Sequence, residues 1–305
     1  MDATSVLKQV REFVSAFSAI PDLQFSAVPY SLESHEGIAY LLLVASIDQS
    51  TAAESVRDLV KALYNELGDD LLTIHKVPPS QYELVLEKFR AHAPGWRIRK
   101  KIPSILCSAS RFIEEAEKDG GLVEWGRRQP SVGAAAEKIA TGIFHMGKDR
   151  QGARKKTWMF MRWMVRSEPD IGVWNPPLSP VDLCVPLDRN TGKAFSDLVQ
   201  VSPFKDLVME KGIRFKWKIP KKIMESNRKN VECVTEVARW IFPDDPAQVD
   251  YAFFCYGRRF SIGEDGHRCW KIVDCNQCSI RKIIDCPSAV GMKREGKYAG
   301  KIRDK

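Results

Sequence analysis

The chain has 305 residues, with 47 Lys plus Arg against 39 Asp plus Glu, a formal charge of +8. A 44% hydrophobic fraction with 28% charged residues excludes disordered and collagen-like chains, and this length allows one large domain or two moderate ones. No uncharged apolar stretch approaches the roughly 20 residues that a bilayer span requires, and Asp2, Lys8, Arg11 and Glu12 make the start unlike a secretory leader. The expectation is a cytoplasmic or nucleoid-associated monomer with no membrane partner.

In chain order, Val6, Val10, Phe13 and Phe17 trace one apolar helix face over residues 4–18. Residues 21–36, with Pro21 and Pro29, read as a connection, within which a strand near Leu23–Val28 stays possible. Ile38–Ile47 (IAYLLLVASI) is apolar on every side and predicts a buried helix. Asp48-Gln49-Ser50 then forms a polar turn before the amphipathic stretch Ala52–Leu67. Helical patterns follow over 81–92, 105–118 and 134–144. The segment 157–165 (TWMFMRWMV) predicts a central core helix. After a connection with four prolines over 167–180, helical spacing resumes over 187–199, 221–227 and 231–241. The class is all-α, divided as an N-terminal helix and connection (1–37), a helical core (38–250) with a hairpin near 144–157, a cysteine-bearing loop (251–290) and a basic tail (291–305).

Three segments have the residue types for chemistry. The first joins two helices through a basic, Gly-containing turn, from Phe144-His145-Met146-Gly147 to Gly152-Ala153-Arg154-Lys155-Lys156-Thr157. Such a turn can offer backbone N–H groups and lysines to phosphate, although αα-corners often have this composition for structural reasons alone. The second is Cys184-Val185-Pro186-Leu187-Asp188, whose Asp is on base rates a helix N-cap. Were Asp188 to share a cavity with Lys156, the pair would hold a carboxylate and an amine nucleophile, the components for cleaving a glycosidic bond. The third is C-x5-C-x2-C-x7-C, formed by Cys269, Cys275, Cys278 and Cys286. Four thiolates so grouped in a reducing compartment point to a tetrahedral zinc site or a [4Fe–4S] cluster. Cys107, Cys184, Cys233 and Cys255 are scattered and read as core filler.

The order of these segments resembles that of the helix–hairpin–helix DNA glycosylases. LLLVASIDQSTAAESVRDLVKALY resembles the helix, turn and helix of endonuclease III-like enzymes, with Gln49 on the Gln that enters the DNA helix. GARKKT resembles the G-x-G-x-K-T hairpin with its lyase lysine, placing Lys156 and Thr157 on that motif, with Arg154 where the second glycine would be. VPLD resembles the P-V-D segment, placing Asp188 on its essential Asp. The cysteine segment resembles the endonuclease III iron–sulfur loop with altered spacing. The separation of Lys156 and Asp188 is 32 residues, similar to the archaeal 8-oxoguanine DNA glycosylases. RWMVR, DIGVW, PLD and DYAFF also look like a bacterial family related to these enzymes, and on that alignment Lys155 competes with Lys156 for the lysine position.

The resemblance implies a two-lobed glycosylase fold with a helix–hairpin–helix motif and a C-terminal four-cysteine metal loop. It implies a base-excision glycosylase with lyase activity on double-stranded DNA containing a damaged base, 8-oxoguanine favoured by the spacing. Lys156 and Asp188 would be catalytic. Gln49, Gly147, Lys148, Arg150, Gly152, Arg154, Lys155 and Thr157 would contact DNA, and Trp158, Trp163 or Trp174 would stack on the flipped base. The cluster would be [4Fe–4S], with zinc as the alternative. A non-catalytic, metal-containing DNA-binding protein of the same fold is the competing reading, and an electron-transfer protein a third.

Overall fold

A computed structural model of the chain describes residues 2–92, 95–147, 149, 151–218, 223–258, 269–284 and 286. The regular secondary structure of the described residues is helical apart from one antiparallel pairing, Trp217 with Met224 and Lys218 with Ile223, so the all-α expectation holds. None of the helices is long and apolar enough to cross a membrane. The chain divides into two compact units, one of residues 20–186 and one that joins residues 1–19 to residues 187–305. This division groups the chain differently from the linear segments read from sequence, because the first helix packs with elements that lie more than two hundred residues later.

In the unit of residues 20–186 the helices are α2 (His35–Ile47), α3 (Ala53–Leu67), α4 (Glu83–His92), α5 (Ile102–Glu117), α6 (Gly121–Arg127), α7 (Val132–Gly142) and α8 (Lys155–Val165), after α1 (Ala3–Ser15) of the other unit. Ser34 caps α2 by accepting from the Gly37 N–H at 3.1 Å, and from Gly37 to Ile47 every residue is buried. That follows from its all-round apolar sequence. A helix with no polar face must be enclosed, and α3, α5, α6 and α8 enclose it. The strand-or-loop segment near residue 23 is a short 3-10 turn, Leu23–Ala27, capped by Asp22. Asp22 Oδ2 also accepts from Arg162 at 2.6 Å and from the Trp163 indole N–H at 2.9 Å, so one carboxylate oxygen serves a buried cation and an indole of α8.

The other unit holds α1, α9 (Arg189–Leu198), α10 (Phe204–Glu210), α11 (Arg228–Ile241), α12 (Val249–Gly257) and the single turn α13 (Cys269–Ile272). Val6, Val10, Phe13 and Phe17 of the first apolar face are all buried. Arg11 donates to the carbonyls of Ile241 and Trp240 at 2.6 and 2.9 Å, satisfying orphaned acceptors at the end of α11. The helices α9 and α12 approach so closely that a Cβ on Gly257 would lie 2.2 Å from the Asn190 carbonyl oxygen. Of the helix expected over 221–227, the described residues 223–227 are not helical: Ile223–Met224 is extended, and helix begins only after Asn227, whose side chain caps α11; residues 221 and 222 lie outside the described residues. α6, α10 and α12 are helices that periodicity alone did not mark, the first two because seven residues are too short for a repeat and the third because it is apolar on almost every side.

Candidate functional site

Within the unit of residues 20–186, three segments meet where α2 ends. The final carbonyls of a helix lack intrahelical partners. At α2, the Ser46 carbonyl accepts from Lys156 Nζ at 2.6 Å, while Asp48 Oδ2 accepts from Lys155 Nζ at 2.6 Å. Both lysines stand in the first turn of α8, yet their surroundings differ. Lys156 is only 6% exposed, and burial lowers its pKa to about 7, with Asp48 opposing and Lys155 assisting that shift. An amine at that value is substantially unprotonated at neutral pH, the condition for nucleophilic attack on carbon.

The turn from α7 into α8 completes the site. His145, Gly147 and Arg154 have positive φ values of 71°, 119° and 50°, so the chain reverses sharply through left-handed backbone, and Gly147 supplies the most extreme of them. A Cβ there would lie 2.7 Å from Arg154 Cγ. Arg154 Nε donates to the Gly147 carbonyl at 2.9 Å, and its guanidinium pairs with Glu137 of α7. Thr157 Oγ1 donates to the Met146 carbonyl at 2.7 Å, tying α8 back to the turn. His145 Nδ1 lies 3.2 Å from Gln49 Oε1, and its Nε2 lies 3.4 Å from Lys101 Nζ. Burial first, then Lys156 and Lys101, hold His145 below the usual histidine range, so its ring is neutral at pH 7.

The predicted residues sort as follows. Gln49, Gly147, Arg154, Lys155, Lys156 and Thr157 all belong to this assembly. Gln49 is exposed, Gly152 half-buried, and the Gly152 N–H donates to the Asp149 carbonyl at 3.2 Å. Lys148 and Arg150 lie outside the described residues. Arg154 is paired with Glu137 and is not among the groups that shift Lys156. Of the three tryptophans, Trp163 and Trp174 are completely buried, with indole N–H groups bonded to Asp22 and to the Leu122 carbonyl. They fill the core and present no face to a base. Trp158 is half-buried. Asp188 belongs to the other unit and is the N-cap of α9, its Oδ1 accepting from the Asn190 and Thr191 N–H groups at 2.7 and 2.8 Å. Asp48, Ser46, His145 and Lys101 are the site residues that sequence reasoning did not single out. The signal available was modest: Asp48 adjoins Gln49, and Lys101 ends a basic run, Arg97-Ile98-Arg99-Lys100-Lys101.

In the unit containing residues 187–305, Cys269, Cys275, Cys278 and Cys286 all line one cavity, closed by Phe13 and Tyr256. Burial, then Cys278 and Cys286, push the Cys275 thiol up, and burial raises Cys278. Among the described residues no three side chains of metal-ligating type form a set that could hold an ion as they stand. The four cysteines, up to 17 positions apart in the chain, nonetheless line one largely apolar enclosure.

Residues 106–206, about a third of the chain, match the family described as protein of unknown function (DUF2400). The matched segment contains His145, Gly147, Lys155, Lys156 and Asp188, and excludes Asp48, Gln49 and the four clustered cysteines. No curated protein and no solved structure matches the chain.

Proposed function

We propose that the protein excises a damaged base from duplex DNA and cleaves the resulting abasic site, with Lys156 as the nucleophile. The observation that carries this reading is a lysine held near neutrality by burial at the start of α8, directly behind a sharp basic turn and beside the exposed Gln49. Extrusion of the nucleotide would bring its sugar to the amine. The Lys156 amine attacks C1′, the glycosidic bond breaks, and the base leaves with the bonding electron pair and takes up a proton. The proton lost from the new C–N centre passes to the ring oxygen O4′, which leaves C1′ with the bonding electron pair as the nitrogen lone pair forms the C=N bond, so that the opened sugar is held as a protonated imine. Removal of a C2′ proton then expels the 3′ phosphate by β-elimination. Neutral His145 is a proton acceptor within the same assembly. Gln49 fills the gap in the base stack, Gly147, Gly152, Arg154, Lys155 and Thr157 form the hairpin that faces phosphate, and Trp158 supplies the stacking face.

A helix–hairpin–helix glycosylase fold, with 8-oxoguanine as the favoured base and Asp188 as the carboxylate that stabilises charge on the sugar, belongs to this reading. The four-cysteine cavity would hold a [4Fe–4S] cluster, or zinc as the alternative. Such a centre would supply local structure, with Arg281 beside it as the positive charge, and the chemistry at the sugar belongs to the lysine. The test is borohydride trapping on a panel of lesion-bearing and abasic duplexes. A covalent adduct with the wild type that disappears in Lys156→Gln supports the assignment. Equal trapping by both proteins overturns it, and DNA binding with no base release identifies a non-catalytic binding protein.

A further inference from the structure

Two adjacent lysines open α8, and either could be aligned with a nucleophilic position. The geometry separates them. Lys155 Nζ is 2.6 Å from Asp48 Oδ2, in a pair whose side chains are 23% and 10% exposed, and it also lies 3.3 Å from Met159 Sδ. Lys156 Nζ makes no such ion pair among the described residues and rests on a neutral carbonyl. A desolvated carboxylate binds a neighbouring ammonium strongly and keeps it protonated. Asp48 therefore distinguishes the two amines, pairing with Lys155 and leaving Lys156 on the carbonyl.

We propose that Asp48 is a positioning residue for Lys156: by clamping Lys155 it docks the first turn of α8 against the end of α2, seats Lys156 on the Ser46 carbonyl, and makes Lys156 the amine available for covalent chemistry. The inference rests on the lysine chemistry proposed above and adds the device that chooses the lysine. The charged groups facing Lys156 are Asp48 at the end of α2 and Lys155 beside it on α8, and the titratable but neutral ring of His145 lies in the turn with Lys101 behind it. Glu137 of α7 is committed to Arg154. Removing the Asp48 carboxylate withdraws the one negative charge that favours the Lys156 ammonium. Removing the Lys155 cation withdraws a positive charge that opposes it. The two substitutions therefore move Lys156 in opposite directions, which loss of packing alone would not do.

The experiment needs no DNA. The intact protein is reductively methylated with formaldehyde and cyanoborohydride between pH 5.5 and 9, and modification at each lysine is quantified by peptide mass mapping. In the wild type, Lys156 is expected to react with a midpoint near pH 7 while Lys155 is protected. Asp48→Asn exposes Lys155 to modification and moves the Lys156 midpoint down, making Lys156 about three- to tenfold more reactive at pH 6. Lys155→Met moves the midpoint up, and Asp48→Glu restores the wild-type pattern. Melting curves identify any variant that fails to fold, and the remaining variants then decide. Equal labelling of both lysines in the wild type, or shifts of the same sign in Asp48→Asn and Lys155→Met, overturns the inference. The expected labelling pattern without any borohydride-trapped DNA supports the positioning role and overturns the DNA reading alone.

Discussion

Lys156 reaches across from α8 to donate to the carbonyl of Ser46 at 2.6 Å, so one side chain both caps the end of α2 and places a buried amine at the mouth of the α7–α8 turn. Since the amine is reactive only when unprotonated, the rate of imine trapping should rise with pH and level off above its pKa of about 7. Below that value the rate should fall about tenfold per pH unit. Single-turnover trapping on an abasic duplex from pH 5.5 to 9 checks this, and Lys156→Gln should show no adduct at any pH.

The same residue makes a prediction about stability. Its folded pKa, about 7, lies below the ordinary lysine value of 10.5, so between these limits the unfolded chain binds the extra proton. Stability attributable to this site therefore increases as pH rises from 7 to 10.5, and the cost of burying the amine is fully present below pH 7. Lys156→Met removes the titration. It should be more stable than the wild type near neutrality by an amount of order 3 kcal/mol, less the lost cap on Ser46, and the difference should shrink toward pH 10. Urea unfolding at pH 6.5, 8 and 10 measures it, and a difference independent of pH would refute the buried, depressed amine.

Gly147 adopts φ +119° with Arg154 Cγ close above it. Alanine there is strained by its backbone and collides with Arg154, so the turn must open. Gly147→Ala should weaken binding to duplex DNA about tenfold, matching a strain cost of about 1.4 kcal/mol, while the salt dependence of binding stays unchanged because no cation is lost. Fluorescence anisotropy at several salt concentrations separates the two quantities.

The cysteine cavity should be the place where metal is held. Cys278→Ser or Cys286→Ser should deplete iron and sulfide, or zinc, from the purified protein, whereas Cys233→Ser, whose thiol lies near the Arg214 carbonyl, should leave the content unchanged. Elemental analysis with the visible spectrum reads out both cases. Removal of the centre by a chelator should lower the melting temperature of the wild type more than that of Cys278→Ser.

Gly126 faces the indole of Trp174, and a Cβ at that position would lie 1.9 Å from Trp174 Cε2. Trp174 is wholly enclosed and bonded to the Leu122 carbonyl at 3.0 Å, so it has little room to withdraw. Gly126→Ala should destabilise the unit of residues 20–186 by about 2–3 kcal/mol, seen as a lower urea midpoint.

What the amino-acid sequence determined by itself were the features written in local pattern. The nearly all-apolar run of Ile38–Ile47 had to be a buried helix, the four-, three- and four-residue spacing of Val6, Val10, Phe13 and Phe17 an amphipathic one, and Gly147 a sharp turn, because side-chain period and backbone sterics act within a few residues. It also brought out the lysine pair and the grouping of four cysteines. Tertiary structure alone decided the remainder. The joining of α1 to the late helices, the burial of Trp163 and Trp174, and the commitment of Arg154 to Glu137 depend on neighbours remote in the chain. So does the difference between Lys155 and Lys156: the two are identical and adjacent in sequence, and only the distant Asp48 and Ser46, held where α2 ends, give one a carboxylate and the other a neutral carbonyl in a dry environment. Desolvation and charge pairing are set by what folding places within a few ångströms, and no linear spacing encodes that distance.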